Sequence, residues 1–466
     1  MKRGTTSIVK RFTVLLLTVV MILSFAACGK SEKKEDEAGN APVAEGDQDN
    51  INNNDTQTSD DKSSDKEEDK ESTVTPKPEQ ENNQEDKKPE EDKKEEQKKE
   101  ETMEEKMIRQ SLMVRGNNYR IKKVIEKARA GEDVTIGFIG GSITEAPYLG
   151  NKKSYAELVY EQFKDTYGNG DNVHYVNAGL SGTPSILGLI RSDRDLFSKE
   201  PDLVFIEFAV NDGTEQIDST GYESLIQKTL RQENEPAVII LYSVFEWGSS
   251  SQNNQNSIVY GYNLPRISMR NAIWNYIDSG ELKWSTWAED YVHPTEWGHT
   301  MYAKFIMNYL NVADNEELHE EYVVRDDYVR GYPHADMKMV DTKTNADLVK
   351  VESLGSFSEG GTGYVFNDGW RKTQGSGNDA LKFTYEGRAF YIVYKDATDS
   401  RFGNAEIYVD GELVTTANGY TSTGWNNPVN YCVYHSDEVE KHTVEIKMTE
   451  PDSDKLFDIY TLGIVP

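Results

Sequence analysis

Short apolar runs alternate with amphipathic, helix-like stretches through the middle of the chain. The apolar runs fall at 134–139, 203–208 and 237–244. Helical spacing is clearest at 107–130 and 295–310. Strands that lack a polar face are buried on both sides, as in a parallel sheet between two layers of helices. The pattern therefore predicts a three-layer α/β domain over residues 107–320.

The hydropathy pattern changes after about residue 321. Alternating or apolar runs then recur at short spacing, and Asp410-Gly411 joins two of them in the manner of a hairpin turn. Short strands punctuated by turns are typical of an all-β sandwich. We therefore predict a jelly-roll-like β-sandwich domain over residues 321–466.

The first 28 residues have the organisation of an export signal. Basic residues precede an apolar core that ends in the run Leu-Ser-Phe-Ala-Ala-Cys28. Small residues directly before a cysteine resemble the bacterial lipobox, in which the cysteine is lipidated and becomes the mature N-terminus. This predicts lipidation of Cys28. A conventional cleavage site and an uncleaved anchor are the alternatives, although the apolar run is short for a membrane span.

Residues 29–106 are polar and highly charged, with 28 acidic residues against 14 lysines. Such a segment cannot bury enough apolar surface to offset its chain entropy, so we predict a disordered tether. A tether would hold a folded body away from a lipid-anchored end. The expected location is therefore the extracellular face of the bacterial cell membrane.

The overall composition excludes some classes of partner. The 466 residues carry a formal charge of −30, which disfavours nucleic acid and the binding of anionic lipid through a basic patch. Membrane contact is expected only through the N-terminal lipid. Two cysteines are too few for a disulfide-rich scaffold. The seven histidines show no metal-ligand spacing, and phosphate- and dinucleotide-binding motifs are missing, so we predict neither a metal nor another cofactor.

Candidate chemistry begins with Ser142, which follows the strand at 134–139 after two glycines. Open α/β sheets place their chemistry at such strand ends. A nucleophilic serine needs a base and a group that orients the base, and Asp290-Tyr-Val-His293 supplies an acid and a histidine three residues apart. The oxyanion needs hydrogen-bond donors, for which the candidates are the backbone N–H groups of Ser142 and Gly182 and the side-chain amide of Asn211. Each element alone also reads as an ordinary turn, but their shared order favours acyl transfer.

These blocks resemble the SGNH hydrolases, also called GDSL-type esterases. The matching stretches are Gly-Gly-Ser142-Ile-Thr, Leu-Ser-Gly182-Thr, Val-Asn211-Asp and Asp290-Tyr-Val-His293-Pro. The resemblance implies a parallel sheet with helices on both faces, Ser142 as nucleophile and His293 as its base. It also implies that Asp290 orients the histidine. Ser142, Gly182 and Asn211 would form the oxyanion hole.

The resemblance covers roughly residues 131–310, and two positions within it depart from the family pattern. Gly141 stands where aspartate is usual, and Ala209 stands where glycine is usual. Neither position carries a reacting group. The Gly-Gly-Ser-Ile-Thr variant is similar to a carbohydrate-esterase-like branch of the superfamily.

We therefore expect a serine esterase that removes O-acyl groups, in particular O-acetyl groups, from a polysaccharide or oligosaccharide. Tyr148, Trp247 and Trp297 are candidate sugar contacts, with core packing as the alternative for each. The alternative functions are a lipase or thioesterase of the same superfamily, and a carbohydrate-binding surface lipoprotein without activity.

The β region resembles the carbohydrate-binding modules that often accompany secreted hydrolases, although a sandwich that only packs is the alternative. Its candidate sugar contacts are Trp370, Tyr420, Trp425 and Asn426. In the α/β domain, Glu207 lies inside an apolar run, and we interpret it as a buried or edge acid rather than a second catalyst. His299 lies near the start of the last helix, and we interpret it as structural.

Overall fold

The computed structural model describes residues 100–363 and 365–466. The predicted export signal, the lipidation of Cys28 and the tether as far as residue 99 lie outside the described residues. Within the described part of the chain, every helix is too short or too polar to cross a membrane.

Helices and strands alternate in the first part of the described chain. The helices are α1 (Met103–Ser111), α2 (Tyr119–Arg129), α3 (Ser142–Glu145), α4 (Tyr155–Tyr167), α5 (Ser185–Asp195), α6 (Gln216–Leu230), α7 (Gln252–Val259), α8 (Met269–Ser279), α9 (Trp284–Trp287) and α10 (Glu296–Asn315). The strands are β1 (Leu112–Val114), β2 (Val134–Gly140), β3 (Val173–Gly179), β4 (Leu203–Glu207), β5 (Ala237–Tyr242) and β6 (Arg266–Ser268).

These six strands form one sheet in the order β1-β6-β5-β4-β2-β3. Neighbouring strands are parallel except for β1, which runs antiparallel to β6 at the edge. β4 and β5 are buried along their whole length, because helices cover both faces of the sheet. The core on one face involves α1, α2, α4, α8 and α10, and the core on the other involves α5, α6 and α7. The predicted three-layer α/β fold is confirmed.

The helical spacing at 107–130 does not correspond to a single helix. The chain leaves α1, forms β1 with Leu112 opposite Ile267 of β6, and only then enters α2. Between β1 and α2, Gly116 adopts φ 62, a left-handed conformation that favours glycine. Pairing with a strand distant in sequence overrides the local helical spacing here.

The C-terminal region folds as antiparallel strands. These are β7 (Lys338–Val340), β8 (Val349–Ser353), β9 (Phe357–Glu359), β10 (Trp370–Lys372), β11 (Leu381–Asp396), β12 (Asn404–Val409), β13 (Glu412–Asn418), β14 (Asn427–Met448) and β15 (Phe457–Val465). Their order is β13-β12-β14-β11-β15-β10-β9, with β7 beside β15 and β8 beside β11. The predicted domain boundary at 320/321 falls between the end of α10 and the start of β7.

The long strands β11 and β14 organise this nine-stranded sheet. They pair along most of their length, with a register shift between Gly387 and Ala389. Such a bulge bends a strand pair, and β11 pairs with β8 along its first half and with β15 along its second. The result is a β-sandwich-like arrangement, as predicted. The predicted hairpin is also confirmed, since Asp410 and Gly411 turn between β12 and β13 with φ 52 and 87, as in a type I′ turn.

The α/β layers and the β region share a hydrophobic core within one compact unit. Ile190 of α5 and Tyr391 of β11 belong to the same buried cluster. Gly463 of β15 lies so close to Ile190 that an added Cβ would stand 2.9 Å from its Cδ1. Lys228 of α6 adds a hydrogen bond of 2.8 Å to the carbonyl of Met337. The β region is therefore held firmly against the helices α5 and α6.

Candidate active site

The turn between β2 and α3 places Ser142 at the carboxyl edge of the sheet. β2 ends at Gly140, and Ser142 is the first residue of α3. A Cβ on Gly140 would collide with the side chain of Thr144, and a Cβ on Gly141 would overlap the side-chain amide of Asn211. Position 141 therefore has no room for the aspartate of the usual GDSL pattern.

Ser142, His293 and Asp290 form a hydrogen-bonded chain. His293 Nε2 lies 2.8 Å from Ser142 Oγ, and His293 Nδ1 lies 2.7 Å from Asp290 Oδ2. Asp290 Oδ1 accepts hydrogen bonds from the backbone N–H groups of Val292 and His293, each at 2.8 Å. A carboxylate held in this way keeps the imidazole proton on Nδ1. Nε2 is then free to accept the hydroxyl proton of Ser142.

The pKa of Asp290 is lower than that of an ordinary aspartate. Burial raises this pKa. The hydrogen bonds that Asp290 accepts from the His293 ring and from the backbone N–H groups of His293 and Val292 together lower it by more. Asp290 is therefore ionised at neutral pH. A carboxylate in this position stabilises an imidazolium on its neighbour.

The other predicted elements lie at the same edge. The loop after β3 is tied to α3, because Ser181 donates from its N–H to Glu145 Oε2 at 2.6 Å. Gly182 follows with φ 68, a left-handed conformation. Asn211 follows β4 and contacts the turn that precedes Ser142. The structure thus gathers the residues that the resemblance assigns to the oxyanion hole around the candidate nucleophile.

Two residues that support this edge were missed in the sequence. Glu145 holds the loop that contains Gly182, and Arg191 of α5 is almost fully buried. Arg191 donates to the carbonyls of Ala178 and Gly140 at 2.7 and 3.3 Å, which joins the ends of β3 and β2. An arginine directly after the largely apolar run 186–190 was the available signal for such a buried role.

A buried polar network lies behind α3. Glu207 is fully buried at the end of β4, accepting from Ser243 Oγ at 2.6 Å and from Thr144 Oγ1 at 3.3 Å. Tyr302 of α10 donates to Ser243 at 2.9 Å. Burial raises the pKa of Glu207 to about 7, and its hydrogen bonds and a nearby histidine charge only partly oppose this effect. Of the two interpretations of Glu207, a buried acid or an edge acid, the buried one is confirmed.

The candidate aromatic contacts occupy different environments. Trp247 is 51% exposed and stacks on Phe245, with 4.6 Å between ring centroids. Its ring also lies 6.1 Å from that of Tyr291, which belongs to the loop of the candidate base. Trp297 is half-buried and meets the fully buried Trp287 edge-on. Trp247 therefore presents an open aromatic surface beside the site, whereas Trp297 packs partly into the core.

The β region contributes Trp425 to the same site. The indole is 44% exposed, and a Cβ on Gly182 would lie 2.7 Å from its Cζ2. Trp425 therefore lies directly against a candidate oxyanion residue, a contact between the two parts of the chain that no sequence pattern indicates. Of the other aromatic candidates in this region, Trp370 is buried and Tyr420 is exposed.

Tyr148 lies between two histidines rather than on an open surface. Its ring centroid is 4.7 Å from that of His293, and its hydroxyl is 2.8 Å from His299 Nε2. His299 is fully buried in the first turn of α10, in agreement with its interpretation as a structural residue.

One family model and several solved structures match this chain. Residues 138–301 match the model of the GDSL-like lipase/acylhydrolase family. The chain is similar to a solved two-domain esterase (CEX) active on acetylated mannans, co-crystallised with mannopentaose, at 27% identity and a TM-score of 0.68. That match covers 77% of this chain and 98% of the other. A second structure described as a two-domain esterase (CEX) active on acetylated mannans matches at 27% identity and a TM-score of 0.66, over 77% of this chain and 99% of that one. The comparison with curated proteins found no match.

Proposed function

We propose that this chain, a carboxylic ester hydrolase whose residues 138–301 match the GDSL-like lipase/acylhydrolase family, removes O-acetyl groups from a polysaccharide or oligosaccharide. The hydrogen-bonded chain from Asp290 through His293 to Ser142 carries this proposal. The similarity to an esterase active on acetylated mannans extends through both parts of the molecule and supports the carbohydrate substrate.

The proposed reaction proceeds through an acyl-enzyme. Ser142 Oγ attacks the ester carbonyl carbon while His293 Nε2 takes the hydroxyl proton. Asp290 stabilises the imidazolium that results. The negative charge on the former carbonyl oxygen is held by the N–H groups of Ser142 and Gly182 and by the Asn211 amide.

The tetrahedral intermediate collapses when the bond to the sugar oxygen breaks and His293 returns its proton to that oxygen. The sugar alcohol leaves, and the acetyl group remains on Ser142. Water then attacks the acetyl carbonyl as His293 takes a proton from it, and collapse releases acetate and restores the serine hydroxyl. This cycle consumes one water molecule and uses only groups of the chain itself.

The surroundings of the site favour a sugar over a lipid. Trp247 and Trp425 expose aromatic surface beside the candidate catalytic residues, and such faces bury the apolar side of a pyranose ring while its hydroxyls stay hydrated. The segment at 246–262 is rich in Ser, Asn and Gln. A lipase or thioesterase would need a wide apolar groove for its acyl chain.

The proposal includes a location. The export signal, the lipobox-like sequence that ends at Cys28 and the polar segment 29–106 support a lipid-anchored enzyme on the extracellular face of the bacterial membrane. At this location the enzyme would meet polysaccharides outside the cell.

The test measures acetate released from acetylated mannan and acetylated xylan by the purified protein, beside hydrolysis of a small aryl acetate. Ser142→Ala removes the proposed nucleophile, and Ser198→Ala, a serine outside the site, is the matched control. We expect release from at least one glycan by the wild type and the control, and none by Ser142→Ala. Serine-dependent hydrolysis of the aryl acetate alone would refute the carbohydrate substrate. Inactivity on all three would favour the binding lipoprotein.

A further inference from the structure

Tyr148 lies beside the site, shortly after α3, the helix that begins with Ser142. It lies in the single 3₁₀ turn Pro147–Leu149. Ala146, which precedes this turn, has φ 55, a left-handed conformation that is strained for an alanine. The strained residue directly precedes the turn that places the Tyr148 ring next to His293. The two ring centroids are 4.7 Å apart, at an interplanar angle of 50°.

The hydroxyl of Tyr148 is held from the other side by His299. His299 Nδ1 accepts the backbone N–H of Tyr155 at 3.0 Å, and since a backbone N–H can only donate, Nδ1 carries no proton. Burial, and to a smaller extent the charge of His293, lowers the pKa of His299 to about 3. The neutral ring therefore carries its proton on Nε2 and donates it to Tyr148 Oη at 2.8 Å.

His293 needs support beyond its two hydrogen bonds. Its side chain is 26% exposed, and that of Asp290 is 44% exposed. A partly exposed imidazole can turn about its side-chain bonds, and a small displacement of Nε2 lengthens its contact with Ser142. One side of the imidazole contacts the ring of Tyr148, which limits that movement. The aromatic ring at this distance also favours the imidazolium that forms on proton transfer.

We infer that Tyr148 is a positioning residue for the general base. Its ring, anchored through His299, holds the imidazole of His293 so that Nε2 faces the nucleophile. This inference rests on the proposed acyl transfer at Ser142. It differs from the role expected from sequence, in which the Tyr148 ring stacks on a sugar.

Two substitutions separate positioning from sugar stacking. Tyr148→Phe keeps the ring and removes the hydroxyl that binds His299, whereas Tyr148→Ala removes both. Tyr160→Phe is the matched control, because Tyr160 is a half-buried tyrosine of α4 that stacks on Tyr175 away from the site. The measurement is kcat and KM on a small aryl acetate and on acetylated mannan, with unfolding midpoints as a check of folding.

Positioning predicts a loss of kcat that is the same on both substrates. We expect kcat to fall about fivefold to tenfold in Tyr148→Phe and about 30- to 100-fold in Tyr148→Ala, with KM within about twofold of the wild type. Tyr160→Phe should match the wild type.

The opposite pattern overturns the inference. If Tyr148→Ala keeps the wild-type kcat on the aryl acetate and raises only KM for mannan, Tyr148 is a sugar platform. A wild type that hydrolyses the aryl acetate but not the glycan would refute the proposed substrate. In that case the loss of kcat on the aryl acetate would still support the positioning role.

Discussion

The buried carboxyl of Glu207 should make the stability of the protein depend on pH. Burial raises its pKa from 4.5 to about 7 in the folded chain, whereas the unfolded chain leaves it near the ordinary value. Between these two values the folded state holds a proton that the unfolded state has lost. The free energy of unfolding therefore falls as the pH rises through this window.

The magnitude follows from the width of the window. Each pH unit within the window lowers the free energy of unfolding by up to about 1.4 kcal/mol. The full decrease across the window is therefore about 3 kcal/mol. The stabilising contribution is complete below the unfolded pKa of 4.5 and is lost once the pH exceeds the folded value of about 7. Between about pH 5 and about pH 8.5 the expected loss from this one group is about 2.5 kcal/mol.

The substitution Glu207→Gln isolates this effect. Glutamine retains an acceptor for Ser243 but cannot ionise. Other buried acids, such as Asp212, whose pKa is also raised by burial, contribute equally to both proteins and cancel in the difference. The free energy of unfolding can be measured by urea unfolding followed by tryptophan fluorescence. The difference between the variant and the wild type should shift by about 2.5 kcal/mol in favour of the variant between about pH 5 and about pH 8.5.

An exposed carboxylate provides the control. Glu132→Gln should follow the wild type across the same pH range, because Glu132 is exposed before β2. A constant difference between Glu207→Gln and the wild type would refute the reasoning, since it would mean that the buried carboxyl does not change protonation in this window.

Three further predictions concern the site. Asp290→Asn should lower kcat by about three to four orders of magnitude with little change in folding. The reason is that the amide no longer holds the proton on His293 Nδ1. A pH–rate profile identical to that of the wild type would contradict this prediction. Gly141→Ala should lower kcat about a hundredfold, because the new methyl group displaces the Asn211 amide, and a crystal structure with Asn211 unmoved would speak against that cause. Trp425→Ala should weaken sugar binding by about 1 kcal/mol and so raise KM for acetylated mannan about fivefold. Hydrolysis of an aryl acetate should stay near the wild-type rate.

Local patterns in the sequence were sufficient for the central buried strands and for naming the candidate catalytic residues. Apolar runs without a polar face predicted the buried parallel strands, because burial on both faces leaves no position for a polar residue. The hairpin at Asp410-Gly411 followed from the conformational freedom that a type I′ turn requires. The spacing of Asp290 and His293 lies within one short loop, so their contact could also be anticipated.

The tertiary structure alone decided which distant residues meet. Leu112 joined a strand instead of the predicted helix because β6 offered it a partner. Trp425 reached Gly182 only through the shared core that fixes the β region against the helices. Tyr148 met His299 because α10 packs beside α4. Periodicity and spacing describe neighbours along the chain, whereas these contacts depend on how whole layers pack.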